Sequence, residues 1–93
     1  MYHVYIMASG RHGTLYIGVA GDLPRRAYQH RMGEVEGFTR GHGVKMLVHA
    51  EAFDWIEAAI QREKSLKKWP RRWKLALIES ENPEWRDLYG DLA

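Results

Sequence analysis

The sequence predicts an α+β fold, a small three-stranded antiparallel sheet flanked by helices, with the element order β-β-α-β-α-α. Two segments near the start alternate apolar and polar residues with the period of a strand, and the turn sequence SGRHG separates them. A third alternating segment follows a glycine-rich stretch, and helical patterns occupy most of the remaining chain. These observations indicate a sheet covered by helices.

The first two strands, residues 2–8 and 14–19, are predicted to pair as a hairpin. Symmetrical folding about Gly10 and Arg11 turns an aliphatic face to the core and sets two tyrosines opposite each other on the other face. The predicted pairs are Val4 with Ile17, Ile6 with Leu15, and Tyr5 with Tyr16. An even shift of this register keeps both tyrosines on one face, whereas an odd shift separates them.

A helix, a loop and a third strand are predicted next. Asp22 caps the helix, which covers residues 23–32, because a short polar side chain accepts hydrogen bonds from the first free amides. Residues 33–43 contain four glycines and are predicted to form a loop. Residues 44–52 alternate and include β-branched side chains, which favours a strand.

Two further helices complete the predicted fold. Asp54 and Glu57 form a capping-box pattern at the start of a helix that reaches about Trp69. Pro70 separates this helix from another one over residues 71–80. The helices are expected to cover the sheet, and the apolar stripe of the first of these two helices is expected to face it.

Composition excludes several classes of protein. The 93 residues are expected to form one domain, 1–93, because this length supports a single modest core. The chain has no cysteine, which excludes disulfides, a thiolate zinc cluster and thiol catalysis. It has no signal-peptide pattern, and no segment approaches the ~20 apolar residues of a membrane span. We therefore expect a soluble cytoplasmic protein with no membrane partner.

Positive charge is concentrated in the segment QREKSLKKWPRRWK, residues 61–74, which contains seven Lys or Arg and one acid, Glu63. Such a segment attracts nucleic-acid phosphates, although a solvated helix face is the alternative interpretation. We interpret the four tryptophans of the chain as packing residues, namely Trp55, Trp69, Trp73 and Trp85. Contact with nucleic acid is the alternative for the two that lie inside the basic segment.

Polar residues also occupy helix positions where the pattern expects apolar ones. Glu63 lies on the apolar stripe of its helix, and a buried carboxylate is costly unless it is paired or binds a metal. A salt bridge to an arginine and a metal site are therefore the two interpretations of Glu63. His30 lies on the inward side of the first helix, one turn after Arg26, with a core role and a catalytic role as alternatives. Together with Tyr5 and Tyr16 on the sheet, these breaks in patterning indicate a functional site.

The same residue types suit the hydrolysis of a phosphodiester. One carboxylate, here Glu63, and a substrate phosphate suffice to hold a hard cation such as Mg²⁺. Arg26 can grip the non-bridging oxygens and neutralise the charge that builds in the transition state. A tyrosine near a cation and a guanidinium loses its proton more readily, so Tyr5 or Tyr16 can act as a base, with His30 as a proton relay.

A spaced series of motifs runs through these positions. VYI at residues 4–6 is followed by YIG at residues 16–18, and Arg26 and His30 stand ten and fourteen residues after the tyrosine of YIG. Glu63 follows in AAIQREKSLKKW. The series resembles the GIY-YIG nuclease superfamily, in particular its small free-standing single-domain proteins, over nearly the whole chain.

The resemblance implies a metal-dependent endonuclease that hydrolyses DNA by water attack with one Mg²⁺ or Mn²⁺ ion. It carries over five catalytic residues, of which the glutamate is the single metal ligand: Tyr5, Tyr16, Arg26, His30 and Glu63. We expect six basic residues to bind the phosphate backbone: Arg25, Lys67, Lys68, Arg71, Arg72 and Lys74. DNA is the expected partner, and RNA is left open. A separate protein that directs the chain to its substrate is also left open, because no targeting domain is evident.

The chain departs from the family pattern at two positions. His3 stands where the first motif has a glycine, and Lys74 stands near the place where many family nucleases have an asparagine. Asn82 offers another amide, but its position before a proline indicates a helix cap. Lys74 therefore leaves open a nucleic-acid-binding module that cuts little or not at all. A third alternative is a protein-interaction domain that uses the acidic tail, residues 79–93.

Overall fold

The computed structural model describes residues 1–34, 37 and 41–92. Within these residues the chain forms a three-stranded antiparallel sheet in the order β2-β1-β3, three α-helices and a short 3-10 helix. The strands are β1 (Tyr2–Ala8), β2 (Leu15–Ala20) and β3 (Met46–Phe53), and the helices are α1 (Leu23–Arg31), α2 (Ile56–Lys68), α3 (Arg71–Glu81) and the 3-10 helix (Leu88–Leu92). The predicted α+β class and the order β-β-α-β-α-α are confirmed.

Both faces of the sheet are covered, because successive side chains of a strand point to opposite sides. Val4, Ile6 and Ala8 of the central strand β1 pack against α2 and α3 in one core cluster. Tyr5 and Met7 point the other way and pack in a second cluster with α1 and the 3-10 helix. The aliphatic face predicted from the alternation therefore lies under α2 and α3, and the tyrosine face lies under α1.

The register of the hairpin differs from the predicted one by two residues. The observed pairs are Val4 with Val19, Tyr5 with Gly18, Ile6 with Ile17, and Met7 with Tyr16, so the predicted pairs are wrong. The chain reverses later than predicted, because His12 adopts a φ of 57° and the N–H of Ser9 bonds to the carbonyl of Thr14 at 3.0 Å. Since the shift is even, Tyr5 and Tyr16 still lie on the same face.

The two predicted N-caps had different outcomes. Asp22 caps α1 as predicted, since its Oδ1 accepts a hydrogen bond from the N–H of Arg25 at 3.2 Å. The predicted capping box of Asp54 and Glu57 is wrong, because Trp55 is the N-cap residue of α2 and makes no side-chain capping bond. Burial of the inner face of α2 against the sheet stabilises this helix instead.

The connection between α1 and β3 is described only in part. Gly33 follows α1 with a φ of 71°, in the left-handed region that favours glycine at a helix end. Of the predicted loop over 33–43, residues 35, 36 and 38–40 lie outside the described residues. Among the described residues, none of the helices is sufficiently long and apolar to cross a membrane.

The tryptophans divide into one buried, one partly buried and two exposed residues. Trp85 is buried, and Trp69 is partly buried and packs on the same core cluster. Trp55 and Trp73 are 72% and 50% exposed, so their interpretation as packing residues is wrong. In α3 the buried residue is Ile78, and Trp73 stands five positions earlier, about 140° away around the helix, where the core does not reach it.

Candidate active site

The ring of Tyr5 lies directly over Gly18 of the neighbouring strand. A Cβ atom placed on Gly18 would lie 2.6 Å from the hydroxyl oxygen of Tyr5 and 2.7 Å from its Cζ, which is closer than real side chains approach. The glycine of the YIG motif is therefore required by a close approach between side chain and backbone. Without a side chain at this position, the phenol of Tyr5 crosses from the central strand β1 over the edge strand β2.

Three rings meet at this point under α1. The ring centroids are 6.3 Å apart for Tyr5 and Tyr16, 5.6 Å for Tyr5 and His30, and 5.3 Å for Tyr16 and His30. The Nε2 atom of His30 is 3.0 Å from the hydroxyl oxygen of Tyr5. Tyr5 and His30 are buried, whereas Tyr16 is half-buried, so the cluster reaches the surface at Tyr16. Two strands and one helix thus bring together three of the residues singled out in the sequence.

The hydroxyl of Tyr5 is held in its neutral form. Burial is the main cause that raises its pKa above the ordinary value, and the charges of Tyr16 and Glu63 raise it further. Arg26 opposes this rise through its charge and through a hydrogen bond to Tyr5, but burial outweighs it. Arg26 therefore acts on the pKa of Tyr5 in the direction expected from the sequence, although burial keeps that pKa above the ordinary value. Both Arg26 and Glu63 nevertheless lie within electrostatic reach of this hydroxyl.

His30 is neutral at neutral pH for a related reason. Burial lowers its pKa from the ordinary value, and the positive charge of Arg26 lowers it further. The positive charge of Arg26 acts on the Tyr5 oxygen and favours a hydroxyl proton that points away from the guanidinium, so we assign this proton to the bond with Nε2 of His30. The ring proton of His30 is then on Nδ1, which is buried and has no hydrogen-bond partner among the described residues.

Glu63 approaches the cluster from the opposite face of the sheet. It lies on α2, which packs across β1 and β2, and its side chain is 20% exposed. Its Oε2 atom is 3.3 Å from Nζ of Lys67, one turn further along the helix. The predicted alternative of a salt bridge to an arginine is therefore wrong within the described part of the chain, where a lysine is the partner. No group of three or more His, Cys, Asp or Glu side chains that could hold a metal occurs among these residues.

Four of the basic residues expected to bind phosphate line two grooves. Arg25 and Arg26, together with Gln29, line a groove of about 290 Å³ at the start of α1. Arg71 and Lys74 line a second groove of about 340 Å³ beside the start of β2. Both grooves lie at the ends of elements that build the ring cluster. Gln29 also lines the first groove and was not among the residues expected from the sequence, although it stands three and four residues after the two arginines, on the same helix face.

Arg71, which lines the second groove, also has a structural role. Arg71 donates hydrogen bonds from Nη2 to the carbonyl oxygens of His12 and Gly13, each at 2.6 Å. It therefore ties the hairpin turn to the start of α3. Arg62, which the charge count included in the basic segment, is paired with Glu51 at 2.8 and 3.0 Å and contributes little free positive charge.

The two positions considered for the family asparagine serve the fold. The Nζ atom of Lys74 donates to the carbonyl of Lys67 at 3.3 Å, which links α3 to the end of α2. Asn82 is buried, donates to the carbonyl of Val48 at 3.2 Å, and accepts from the N–H of Arg86 at 3.0 Å. Asn82 thus organises the turn after α3, in line with its interpretation as a cap.

Acidic residues of the tail are also used within the fold. Glu79 contacts Nε2 of His12 and accepts from the indole N–H of Trp85, both at 2.7 Å. Asp87 pairs with Arg31 at 2.5 Å. Two of the five tail acids, Glu79 and Asp87, are therefore occupied by contacts within the fold.

Known proteins are similar to this chain in sequence and in fold. A model of the GIY-YIG catalytic domain matches residues 1–76. The chain belongs to the GIY-YIG family. Among its GIY-YIG relatives, a UPF0213 protein of Haloquadratum walsbyi is 37% identical over 78 residues, which cover 84% of this chain and 88% of that protein. A UPF0213 protein of Halobacterium salinarum is 38% identical over 78 residues, which cover 84% and 100% of the two chains.

A solved GIY-YIG structure agrees with the fold. The solution NMR structure of a UPF0213 protein from Bacillus halodurans superposes with a TM-score of 0.57 at 32% identity, over 94% of this chain and 93% of that one. The predicted membership of the family is therefore confirmed. GIY-YIG domains are in general nuclease domains that act on nucleic acid and use divalent metal ions.

Proposed function

We propose that this GIY-YIG protein is a DNA endonuclease that depends on one Mg²⁺ or Mn²⁺ ion. The observation that supports this most strongly is the buried pair of Tyr5 and His30, with Tyr16 against it and with the charges of Arg26 and Glu63 acting on the same hydroxyl. These groups come from two strands and two helices. Packing alone does not require five such polar groups to converge.

Arg26 is the proposed phosphate-binding residue of the site. It is exposed, yet it reaches the hydroxyl of Tyr5, so an anion bound by its guanidinium would lie beside that hydroxyl. A guanidinium binds two phosphate oxygens in a fork and stabilises the extra charge of the transition state. Arg25 and Gln29 line the same groove and would bind the adjoining part of the backbone.

Tyr5 and His30 are proposed to move the proton of the attacking water. As the water oxygen attacks phosphorus, its proton passes to the oxygen of Tyr5, and the proton of Tyr5 passes to Nε2 of His30. The P–O bond to the leaving sugar oxygen breaks, and a solvent proton neutralises that oxygen. No free phenolate accumulates, which is compatible with the raised pKa of Tyr5 and the available lone pair of neutral His30.

Glu63 is the proposed side-chain ligand of the metal ion. Its donor chemistry fits Mg²⁺, which accepts one or two carboxylates and fills its other positions with water and phosphate oxygens. The bound ion would supply Lewis-acid polarisation of the phosphate. The ion must compete with Lys67, whose ammonium lies 3.3 Å from the same carboxylate.

Cleavage assays with a matched variant test the proposal. We expect the purified protein to cut single-stranded, duplex or branched DNA with Mg²⁺ or Mn²⁺, and EDTA to abolish the cutting. Glu63→Ala should remove activity, whereas Glu57→Ala, an exposed glutamate in the first turn of the same helix, should retain it. Equal cleavage by wild type and Glu63→Ala would contradict the proposal.

A catalytically weak nucleic-acid-binding module is the second candidate. It is favoured by Lys74, which stands near the place where the family pattern has an asparagine and whose Nζ donates to a backbone carbonyl. This candidate predicts binding that weakens steeply with salt and no cleavage with any divalent ion. The assay above separates the two candidates.

A further inference from the structure

Trp73 is an exposed aromatic residue at the start of α3 that the fold does not use for its core. Its side chain is 50% exposed. Its ring meets that of Trp69 edge to face, with centroids 5.8 Å apart and planes at 81°. The guanidinium carbon of Arg72 lies 5.9 Å from its centroid. An indole that stays half in water gives up hydrophobic stabilisation, so this position suits an external flat apolar ligand.

The surface around Trp73 is strongly basic. Five cationic side chains lie at the end of α2 and the start of α3: Lys67, Lys68, Arg71, Arg72 and Lys74. Within residues 1–34, 37 and 41–92, only the first of these pairs with a carboxylate. The charge of the others is free to attract an anionic polymer.

A chain of contacts connects this surface to the proposed metal ligand. Glu63 pairs with Lys67 at 3.3 Å, and the carbonyl of Lys67 accepts a hydrogen bond from Lys74 at 3.3 Å. Trp73 is the residue next to Lys74. A strand whose phosphate is bound in the proposed active site, beside Glu63, can therefore follow the basic residues along the corner between α2 and α3 to the exposed indole.

We propose that Trp73 is a stacking platform for an unpaired nucleobase, and that the substrate has a single-stranded segment leading into the site. The substrate class rests on the proposed nuclease function, whereas the stacking itself does not require cleavage. A base that takes the place of Arg72 over the indole frees this guanidinium for the adjoining phosphate. Bases inside a duplex are already stacked on both faces, so only an unpaired base can use Trp73.

Trp55 provides a matched control. It is 72% exposed and stands just before α2, whereas Trp73 stands near the start of α3, so both indoles lie at the beginning of a helix. The neighbours of Trp55, however, are the acidic residues Asp54 and Glu57. A purely hydrophobic effect of an exposed indole would be the same at both positions. A platform for an anionic polymer requires the basic surroundings of Trp73.

Binding of fluorescently labelled DNA in EDTA tests the platform without any cleavage. The probes are an oligothymidylate of about 12 nucleotides and an abasic oligomer with the same number of phosphates. Trp73→Ala should weaken binding of the oligothymidylate about 10-fold and leave the abasic oligomer unchanged. Trp73→Phe should restore most of the affinity, and Trp55→Ala should behave as wild type. An equal loss on both probes, or no loss on either, would overturn the proposal.

The outcome for the platform is separable from that for the nuclease. If Trp73→Ala loses affinity as described but no metal supports cleavage, the platform stands and the nuclease proposal fails. If cleavage requires Glu63 but Trp73→Ala binds the oligothymidylate as wild type does, the platform alone fails. A wild-type protein that binds neither probe overturns the platform, and the cleavage assay with metal then decides the nuclease proposal separately.

Discussion

The hydroxyl oxygen of Tyr5 lies 3.0 Å from Nε2 of His30, and both side chains are buried between α1 and the sheet. Burial disfavours charge on either group, since it raises the pKa of the phenol and lowers the pKa of the imidazole. The pair is therefore neutral at neutral pH, with a donor and an acceptor already joined. This arrangement suits the transfer of a proton through Tyr5 rather than the storage of a phenolate.

The pH dependence of cleavage should reflect His30. A protonated imidazole cannot accept the proton from Tyr5, so kcat/KM should fall with decreasing pH as His30 becomes charged. Because burial and Arg26 lower its pKa, this acid limb should lie below the ordinary histidine value of 6.5. The measurement is a pH profile of cleavage for wild type and His30→Gln, with circular dichroism to confirm folding at each pH. If kcat/KM falls at the same acidic pH in wild type and in His30→Gln, the proposed proton transfer to His30 is contradicted.

Gly18→Ala should disrupt the site through a single methyl group. The added Cβ would lie 2.6 Å from the Tyr5 hydroxyl, so the ring must move and its bond to His30 must lengthen or break. We expect a loss of about 1–3 kcal/mol in the free energy of unfolding and a loss of cleavage. Gly10→Ala is the control, because a Cβ there meets no atom within 4 Å. The measurements are urea unfolding and cleavage rates of both variants. If Gly18→Ala is as stable and as active as Gly10→Ala, the close approach of Tyr5 to Gly18 does not constrain the site.

Arg71 and Arg72 are adjacent arginines with different expected roles. Arg71→Ala removes two hydrogen bonds to the carbonyls of the hairpin turn and should lower the free energy of unfolding by about 1 kcal/mol. Arg72 lies over Trp73, so Arg72→Ala should leave stability unchanged and weaken DNA binding. Thermal unfolding and DNA-binding titrations of both variants distinguish the roles. A destabilised Arg72→Ala or a fully stable Arg71→Ala would contradict this assignment.

The ion pair between Glu51 and Arg62 predicts a pH-dependent stability. Burial raises the pKa of Glu51, but hydrogen bonds from Arg62 and His49 outweigh burial and hold it below the ordinary value of 4.5. The carboxylate therefore stabilises the fold above that value, and this contribution disappears as the pH falls through the lowered pKa. Arg62→Ala should be less stable than wild type at neutral pH, and the difference should shrink in acid. The measurement is urea unfolding of both proteins at several pH values. If the stability difference between wild type and Arg62→Ala does not change with pH, the ion pair is not the source of that difference.

The face of the sheet on which each strand residue lies, and the N-cap of α1, could be predicted because both depend on local chemistry. Alternation in β1 places Tyr5 on the face opposite to Val4, and Asp22 satisfies a free amide wherever the chain enters a helix. The register could not be predicted, because it depends on where the turn closes. His12 adopts a positive φ there, which is uncommon for a residue other than glycine.

The candidate site could be predicted as a set of residues but not as a geometry. The spacing of Arg26 and His30 on one helix face is a local property, and it placed His30 correctly on the buried side of α1. The close approach of Tyr5 to Gly18 and the contact of Lys67 with Glu63 depend on how strands and helices pack. The exposure of Trp73 likewise depends on how far the core extends along α3.

A crystal soaked with Mn²⁺ and a short DNA strand tests the central claim most directly, because the metal gives an anomalous signal. The account predicts a Mn²⁺ peak at about 2.1 Å from a carboxylate oxygen of Glu63, with Lys67 displaced and a phosphate bound by Arg26 beside the Tyr5 hydroxyl. A Glu63 carboxylate that stays paired with Lys67, with no peak beside it and DNA bound elsewhere, would contradict the account.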